Sequence, residues 1–304
     1  MENTPIWDSH VHLFPPEIYH NWEKYARRDA WFAALTKEPE NGKGTAEAWA
    51  STEEALACAD AAGVHGLVML GWYWNDPGLM RMHNDYMAEM MAKYPDRLRG
   101  FCCINPTFGE QAIEEIQRCV KLGFDGIGEL GPGGNGYDFN DPRFHDVLDC
   151  ARSYDLPVNI HCGEPVGHAY PGKDMTSLAP LPEIILAKPD LKLILAHMGG
   201  GLPFYEMNPR YRGHFDNVRY DMAANPLLYD IRSLRAVISM VGPRRLFFGS
   251  DFPLLLYPRR CRTMDMTMFV QDIRDNAGLT EAEWSCVMGG NLLEYLGEKR
   301  SPQL

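Results

Sequence analysis

The chain has 304 residues, 45% hydrophobic and 23% charged, so it can bury a large core, and an α/β barrel uses such a length as one domain. Its 29 Lys and Arg against 41 Asp and Glu give a formal charge of −12, which argues against a nucleic-acid partner, because phosphate binding needs a basic face. An anionic small substrate stays compatible, since a metal can supply local positive charge. No secretory signal opens the chain and no run approaches the ~18 apolar residues of a membrane span, so a cytoplasmic protein off the membrane is expected. The eight cysteines form no CxxC pair, and Cys102, Cys103 and Cys162 sit in strand-like runs. They read as small hydrophobes in a reducing compartment.

Strand-like and helix-like segments alternate along the chain. Residues 6–13 (IWDSHVHL) open as a strand. A helix-like stretch over about 15–49 follows, carrying Trp22, Trp31, Phe32 and a KEPENGKG turn. It is too long for a simple connection and is expected as an insertion over the barrel mouth. STEE at 51–54 is a capping box for a helix over 51–62, stopped by Gly63. Strands follow at 64–70, 98–104, 124–130, 157–162, 191–197, 218–222 and 246–251, several nearly continuous in apolar residues, as parallel strands buried on both faces are. Helices are expected at 110–122, 141–154 (Pro142 in the first turn), 181–188, 227–241 and 264–277, with an extra closing helix at 281–296. Eight strand signals with helices between them give a (β/α)8 TIM barrel, one domain over 1–304. An open doubly wound sheet would place a glycine-rich phosphate turn after its first strand, where this chain has Leu13-Phe14-Pro15-Pro16.

Polar residues punctuate the ends of these strands. His10 and His12 are two apart on a strand and so project to the same side, where they can chelate a borderline cation. Glu129 ends FDGIGEL, His161 follows PVNI, His197 ends LKLILAH and Asp251 ends RLFFGSD. Each lies at the carboxyl end of a different strand, where barrel enzymes place their chemistry. Singly, each reads as an ordinary capped polar group; together they call for a shared cation, because unpartnered buried charges cost several kcal/mol.

Other residues are weighed by position. Trp72-Tyr73-Trp74 follows the second strand, where Trp72 and Trp74 can stack on a substrate or pack against the insertion. Arg259 and Arg260 can fork a substrate carboxylate or stand in solvent. His168 reads as a loop residue. Gly131, Gly133, Gly134 and Gly136 have no lysine after them in a P-loop pattern, so a tight loop is expected there. Gly199-Gly200-Gly201 suggest close backbone approach, and His20, His65, His83, His145 and His214 read as structural.

DSHVHL, GFDGIGEL, LPVNIHCGEP, PDLKLILAHMGG and RLFFGSDFP, in that order, resemble the amidohydrolase superfamily and its amidohydrolase-related branch, over nearly the whole chain. That branch includes aminocarboxymuconate semialdehyde decarboxylase, resorcylate-type decarboxylases, hydrolases and hydratases. The resemblance implies that His10, His12, His161 and Asp251 hold a metal and that Asp251 also carries a proton. His197 would sit beside the bound water or join a second ion, and Glu129 can bridge two ions in TatD-like relatives. One ion is expected, with Glu129 as candidate ligand for a second; zinc comes first, with Mn, Fe or Co as alternatives.

The function expected from this reading is hydrolysis of a small carbonyl-type substrate by a metal-activated water, with Asp251 as acid and base and His197 polarising the reacting oxygen. The alternative is decarboxylation of a small, aromatic or conjugated carboxylic acid, with Asp251 or His197 supplying the proton. A third reading, a barrel that only binds a ligand, is disfavoured because every expected metal ligand is present. A homodimer is a reasonable expectation for such an enzyme.

Overall fold

The computed structural model describes residues 4–36, 48–167, 169–170, 172–300 and 302. Eight strands run in chain order around the molecule: β1 (Ile6–Val11), β2 (Val64–Leu70), β3 (Leu98–Cys102), β4 (Gly126–Leu130), β5 (Val158–Ile160), β6 (Leu193–Leu195), β7 (Val218–Asp221) and β8 (Leu246–Phe247). Every neighbouring pair is parallel. The ring is drawn shut by backbone bonds across the last seam: Ser9 N–H to Phe248 O (2.8 Å), Asp251 N–H to His10 O (2.9 Å) and His12 N–H to Phe252 O (2.7 Å). This is the expected (β/α)8 barrel. All but β2 are shorter than their apolar runs: β5, β6 and β8 stop before His161, His197 and Asp251, which stand beyond the strand ends, whereas Glu129 lies inside β4.

The connecting helices follow local sequence chemistry. Ser51 caps Thr52–Ala61 with the full capping box, its hydroxyl accepting from Glu54 N–H while the Glu54 carboxylate accepts from Ser51 N–H. Helices also form at Glu110–Lys121, Pro142–Ser153, Leu181–Ala187 and Thr267–Asn276. The stretch expected as one helix over 227–241 is instead Asn225–Leu228 and Ser233–Val241. The 17-residue helix Pro77–Lys93, outside the expected set, has Pro at its first turn and Asp76 accepting from Leu79 N–H. The closing helix is also broken: Glu281–Ser285 and Asn291–Leu296 flank a wide turn at Cys286–Gly290. That turn lies against the barrel, where Val287 O accepts from Phe248 N–H (2.9 Å) and Gly289 packs on the Pro5 carbonyl without room for a side chain.

Among the described residues the insertion forms three short helices, Pro16–His20, Trp22–Ala26 and Ala30–Thr36, while the KEPENGKG turn lies outside them. Phe14, Phe32, Trp49, Trp72 and Trp74 form one aromatic cluster, with ring centroids 5.0–6.2 Å apart. This cluster pins the insertion beside the mouth. Toward the amino end, Trp7, Val68, Leu70, Phe101, Ile194 and Phe247 pack with Leu292 of the closing helix as a separate apolar plug. Gly66 makes room for it, since a Cβ there would lie 2.6 Å from the Trp7 ring. The barrel is thus filled below and polar above, as active barrels are. All eight cysteines are free thiols, and no helix among the described residues is long and apolar enough to cross a membrane.

Candidate metal centre

β1 presents His10 and His12 side by side, their Nε2 atoms 3.2 Å apart. Asp251 Oδ1 lies 3.6 Å from both Nε2 atoms, and Glu129 Oε2 lies 3.8 Å from that of His10 and 3.6 Å from that of His12. His10, His12 and Asp251 bring one donor atom each within 4.8 Å of one another, and so do His10, Glu129 and His197, so either trio can hold a divalent cation. The other Glu129 oxygen, Oε1, faces a different pair: His161 Nδ1 at 3.0 Å and His197 Nε2 at 3.3 Å, with those nitrogens 3.1 Å apart. Glu129 therefore stands between two donor groups, one on each oxygen.

Imidazole tautomers follow from what the remote nitrogens touch. A carbonyl oxygen only accepts, so His12 donates Nδ1–H to Leu70 O (3.3 Å) and His197 donates Nδ1–H to Ala223 O (3.0 Å). Both leave an Nε2 lone pair facing the centre. His10 Nδ1 points at Asp221 Oδ2, 2.9 Å away.

Electrostatics point the same way. Burial opposes a charge on His10, yet Asp221, Glu129 and Asp251 outweigh it and lift its pKa to about 9. Burial likewise opposes a charge on His197, but the hydrogen bond and charge of Glu129, then Asp251 and Asp221, raise it to about 10. Glu129 itself, although fully buried, is held well below the usual carboxylate range by His161 and His10. Several carboxylates buried in one place demand cations, and without a metal the imidazoles meet that demand with protons.

The remaining candidate residues divide. Trp72 is nearly buried, edge-on to the His12 ring at 5.4 Å and stacked on Tyr73 at 4.6 Å, so it forms a wall beside the centre. Gly131 supports that wall, as a Cβ there would meet the Tyr73 ring at 2.5 Å. Trp74 is turned away: it is wholly buried in the aromatic cluster and donates Nε1–H to His83 Nδ1 (3.1 Å), which leaves it no surface to offer a substrate. Arg259 and Arg260 are exposed in the loop after β8, with Arg260 over the Tyr257 ring at 5.9 Å. His168 lies outside the described residues. His83 is structural, as expected, donating Nε2–H to Leu13 O (2.9 Å) with a pKa driven down to about 3 by burial.

Sequence reasoning missed Asp221. It closes β7 in NVRYDMA just as Asp251 ends RLFFGSD, and that resemblance was the available signal. Asp8 was missed too; buried beneath the centre, it accepts from the backbone N–H of His10 and of Ser250, both at 3.0 Å, with its pKa pushed up to about 6 by burial.

A (β/α)8 barrel with histidine and carboxylate donors converging at the carboxyl ends of its strands defines a metal-dependent barrel enzyme. The chain belongs to the amidohydrolase family, whose profile matches residues 7–293. It is 27% identical over 265 residues to 2-amino-3-carboxymuconate-6-semialdehyde decarboxylase of Dictyostelium discoideum, covering 76% of this chain and 70% of that protein. It is 27% identical over 217 residues to gamma-resorcylate decarboxylase of a Polaromonas species, covering 57% of this chain and 65% of the relative. Among solved structures it resembles 5-carboxyvanillate decarboxylase from Novosphingobium aromaticivorans, complexed with manganese and a hydroxy-methoxy-nitrobenzoic acid. That match has a TM-score of 0.69 and 15% identity, covering 96% of each chain. These relatives overturn the expectation of hydrolysis. The metal-ligand pattern of the strand ends is shared by hydrolases and decarboxylases, so it carried the superfamily and not the reaction.

Proposed function

We propose that this enzyme is a metal-dependent decarboxylase of a small aromatic or conjugated carboxylic acid. The observation that carries this reading is the reaction common to the similar curated proteins, set beside a donor cluster of the kind such chemistry needs. His10, His12 and Asp251 would hold the ion, with Glu129 Oε2 beside the two histidines. Once bound, a divalent cation supplies a Lewis acid that anchors and polarises the anionic substrate.

The protein's own groups do the rest. Trp72, backed by Tyr73, gives a flat apolar wall for a conjugated ring and keeps water from that side. Loss of CO2 breaks the bond between the ring carbon and the carboxyl carbon, and the electron pair stays on the ring carbon. That carbon then needs a proton. His197 is placed to deliver it from Nε2, because its other nitrogen is occupied by Ala223 O. Asp251, with Oδ2 3.8 Å from His197 Nδ1, supports an imidazolium there.

Zinc or manganese suits a mixed imidazole and carboxylate set. A second ion at Glu129 Oε1, His161 Nδ1 and His197 Nε2, 3.0–3.3 Å on each side, would take the His197 lone pair and leave no proton there to deliver, so the proton-donor role of His197 goes with a single ion. Metal content per chain decides between one ion and two.

The test is CO2 release from a panel of hydroxybenzoic and conjugated dienoic acids, with protein reconstituted in Zn2+, Mn2+, Co2+ or Fe2+. Metal-dependent CO2 release is expected. A metal-loaded protein that cleaves amides, esters or lactones but releases no CO2 from any acid overturns the proposal.

A further inference from the structure

We infer that Asp221 is a positioning residue that commits His10 to bind metal through Nε2 and ties that ligand to His197. The inference rests on the metal-centre reading above. Asp221 closes β7 with its side chain fully buried. Its Oδ2 takes Nδ1–H of His10 at 2.9 Å and the Nδ2 amide of Asn159 at 3.2 Å. Its Oδ1 takes the backbone N–H of His197 at 3.0 Å and of Ala223 at 3.1 Å. An ionised carboxylate offers about four acceptor sites and no donor, and here four donors fill them. Two are backbone amides, which cannot become acceptors, so Oδ1 has no place for a proton. The remaining oxygen lies between Asn159 and His10, and the arrangement is complete when His10 is the Nδ1–H tautomer. Its Nε2 then presents a lone pair to the centre.

His10 differs here from the other two histidines whose tautomers are fixed. His12 and His197 are held by backbone carbonyls, which no substitution removes. His10 is held by a side chain, so a single change can reverse it. The same carboxylate anchors the backbone of His197, whose φ of 56° is sparsely populated for a residue with a side chain. One group on β7 thus sets both the metal ligand on β1 and the residue placed to deliver a proton after β6.

The test is Asp221→Asn. The isosteric amide must turn its NH2 group against one set of donors. Facing His10, it forces the imidazole proton onto Nε2 and blocks ligation; facing the other way, it confronts the two backbone amides. Co2+ titration followed by visible absorption should show affinity weakened by about 10–100-fold, the usual cost of removing such a partner. Asn159→Ala, which removes one donor and leaves Asp221 facing His10, should bind Co2+ within a few fold of wild type. A folded Asp221→Asn protein with wild-type Co2+ affinity overturns the assignment. If that variant fails to fold, 15N-labelled wild-type protein loaded with diamagnetic Zn2+ decides. A proton on His10 Nδ1 supports the assignment, and a proton on Nε2 overturns it. Wild-type protein that takes up no Co2+ at all instead removes the metal-centre reading, and this inference with it.

Discussion

The two ends of the barrel both bury carboxylates, and they neutralise them in different ways. At the amino end, Asp125 lies under Arg99, 2.6 Å away, and Arg99 also donates to Gly297 O (2.9 Å) in the closing segment. The cation there belongs to the chain permanently, because a guanidinium does not lose its proton. At the carboxyl end, Glu129, Asp221 and Asp251 face histidines, whose charge is exchangeable. A fixed cation makes an anchor. Exchangeable cations make a place where a proton or a metal ion can be taken up and released.

The largest expected effects strike the exchangeable end. His10→Ala should lose bound metal and CO2 release together, with turnover falling by more than about 10³-fold. Metal analysis beside the activity assay checks this, and activity surviving in metal-free variant would break the contrast. His197→Gln should retain metal on the His10, His12 and Asp251 donors yet lose about 10²–10⁴ in kcat, the range for a displaced proton donor.

The fixed end should respond in stability alone. Arg99→Met leaves Asp125 buried without its partner, so a loss of about 3–5 kcal/mol is expected in urea denaturation, with metal content and kcat of the folded fraction unchanged. A loss of metal in this variant would mean that the two ends are not independent.

The pH dependence of the metal-free protein sharpens the contrast further. The folded pKa values of His10 and His197 are raised, to about 9 and about 10. Their contribution to stability is therefore full below the unfolded value near 6.5 and lost as pH rises through 9–10. Melting temperature should fall across that alkaline window without metal, and much less with it. His83, equally buried but beside Trp74 and a carbonyl, has its pKa lowered to about 3. Its contribution is present above about 6.5 and lost as pH falls toward 3, so the two histidine environments pull stability down at opposite ends of the pH range. The smallest effects separate the two tryptophans. Trp72→Phe should raise KM a few fold, whereas Trp74→Phe should leave KM alone and cost about 1 kcal/mol for the lost hydrogen bond to His83.

Much of this was legible in the sequence. Apolar runs separated by helical stretches specify parallel strands and crossovers by local chemistry, so eight strands and the barrel could be read off in order. The positions of His10, His12, Glu129, His161, His197 and Asp251 were legible for the same reason, since a polar residue ending a buried strand stands out. The breaks at 229–232 and 286–290 were not, because the second follows from a fit against β1 and β8 that no window of sequence contains. Only the tertiary structure showed that Glu129 divides its oxygens between two histidine pairs, that Asp221 stands behind His10, and that Trp74 belongs to the core while Trp72 borders the centre. Those are relations between strands distant in sequence, fixed by barrel register and by which side chains share a buried space. Strand-end chemistry is written locally, and the partner of each strand end is decided by closure of the ring.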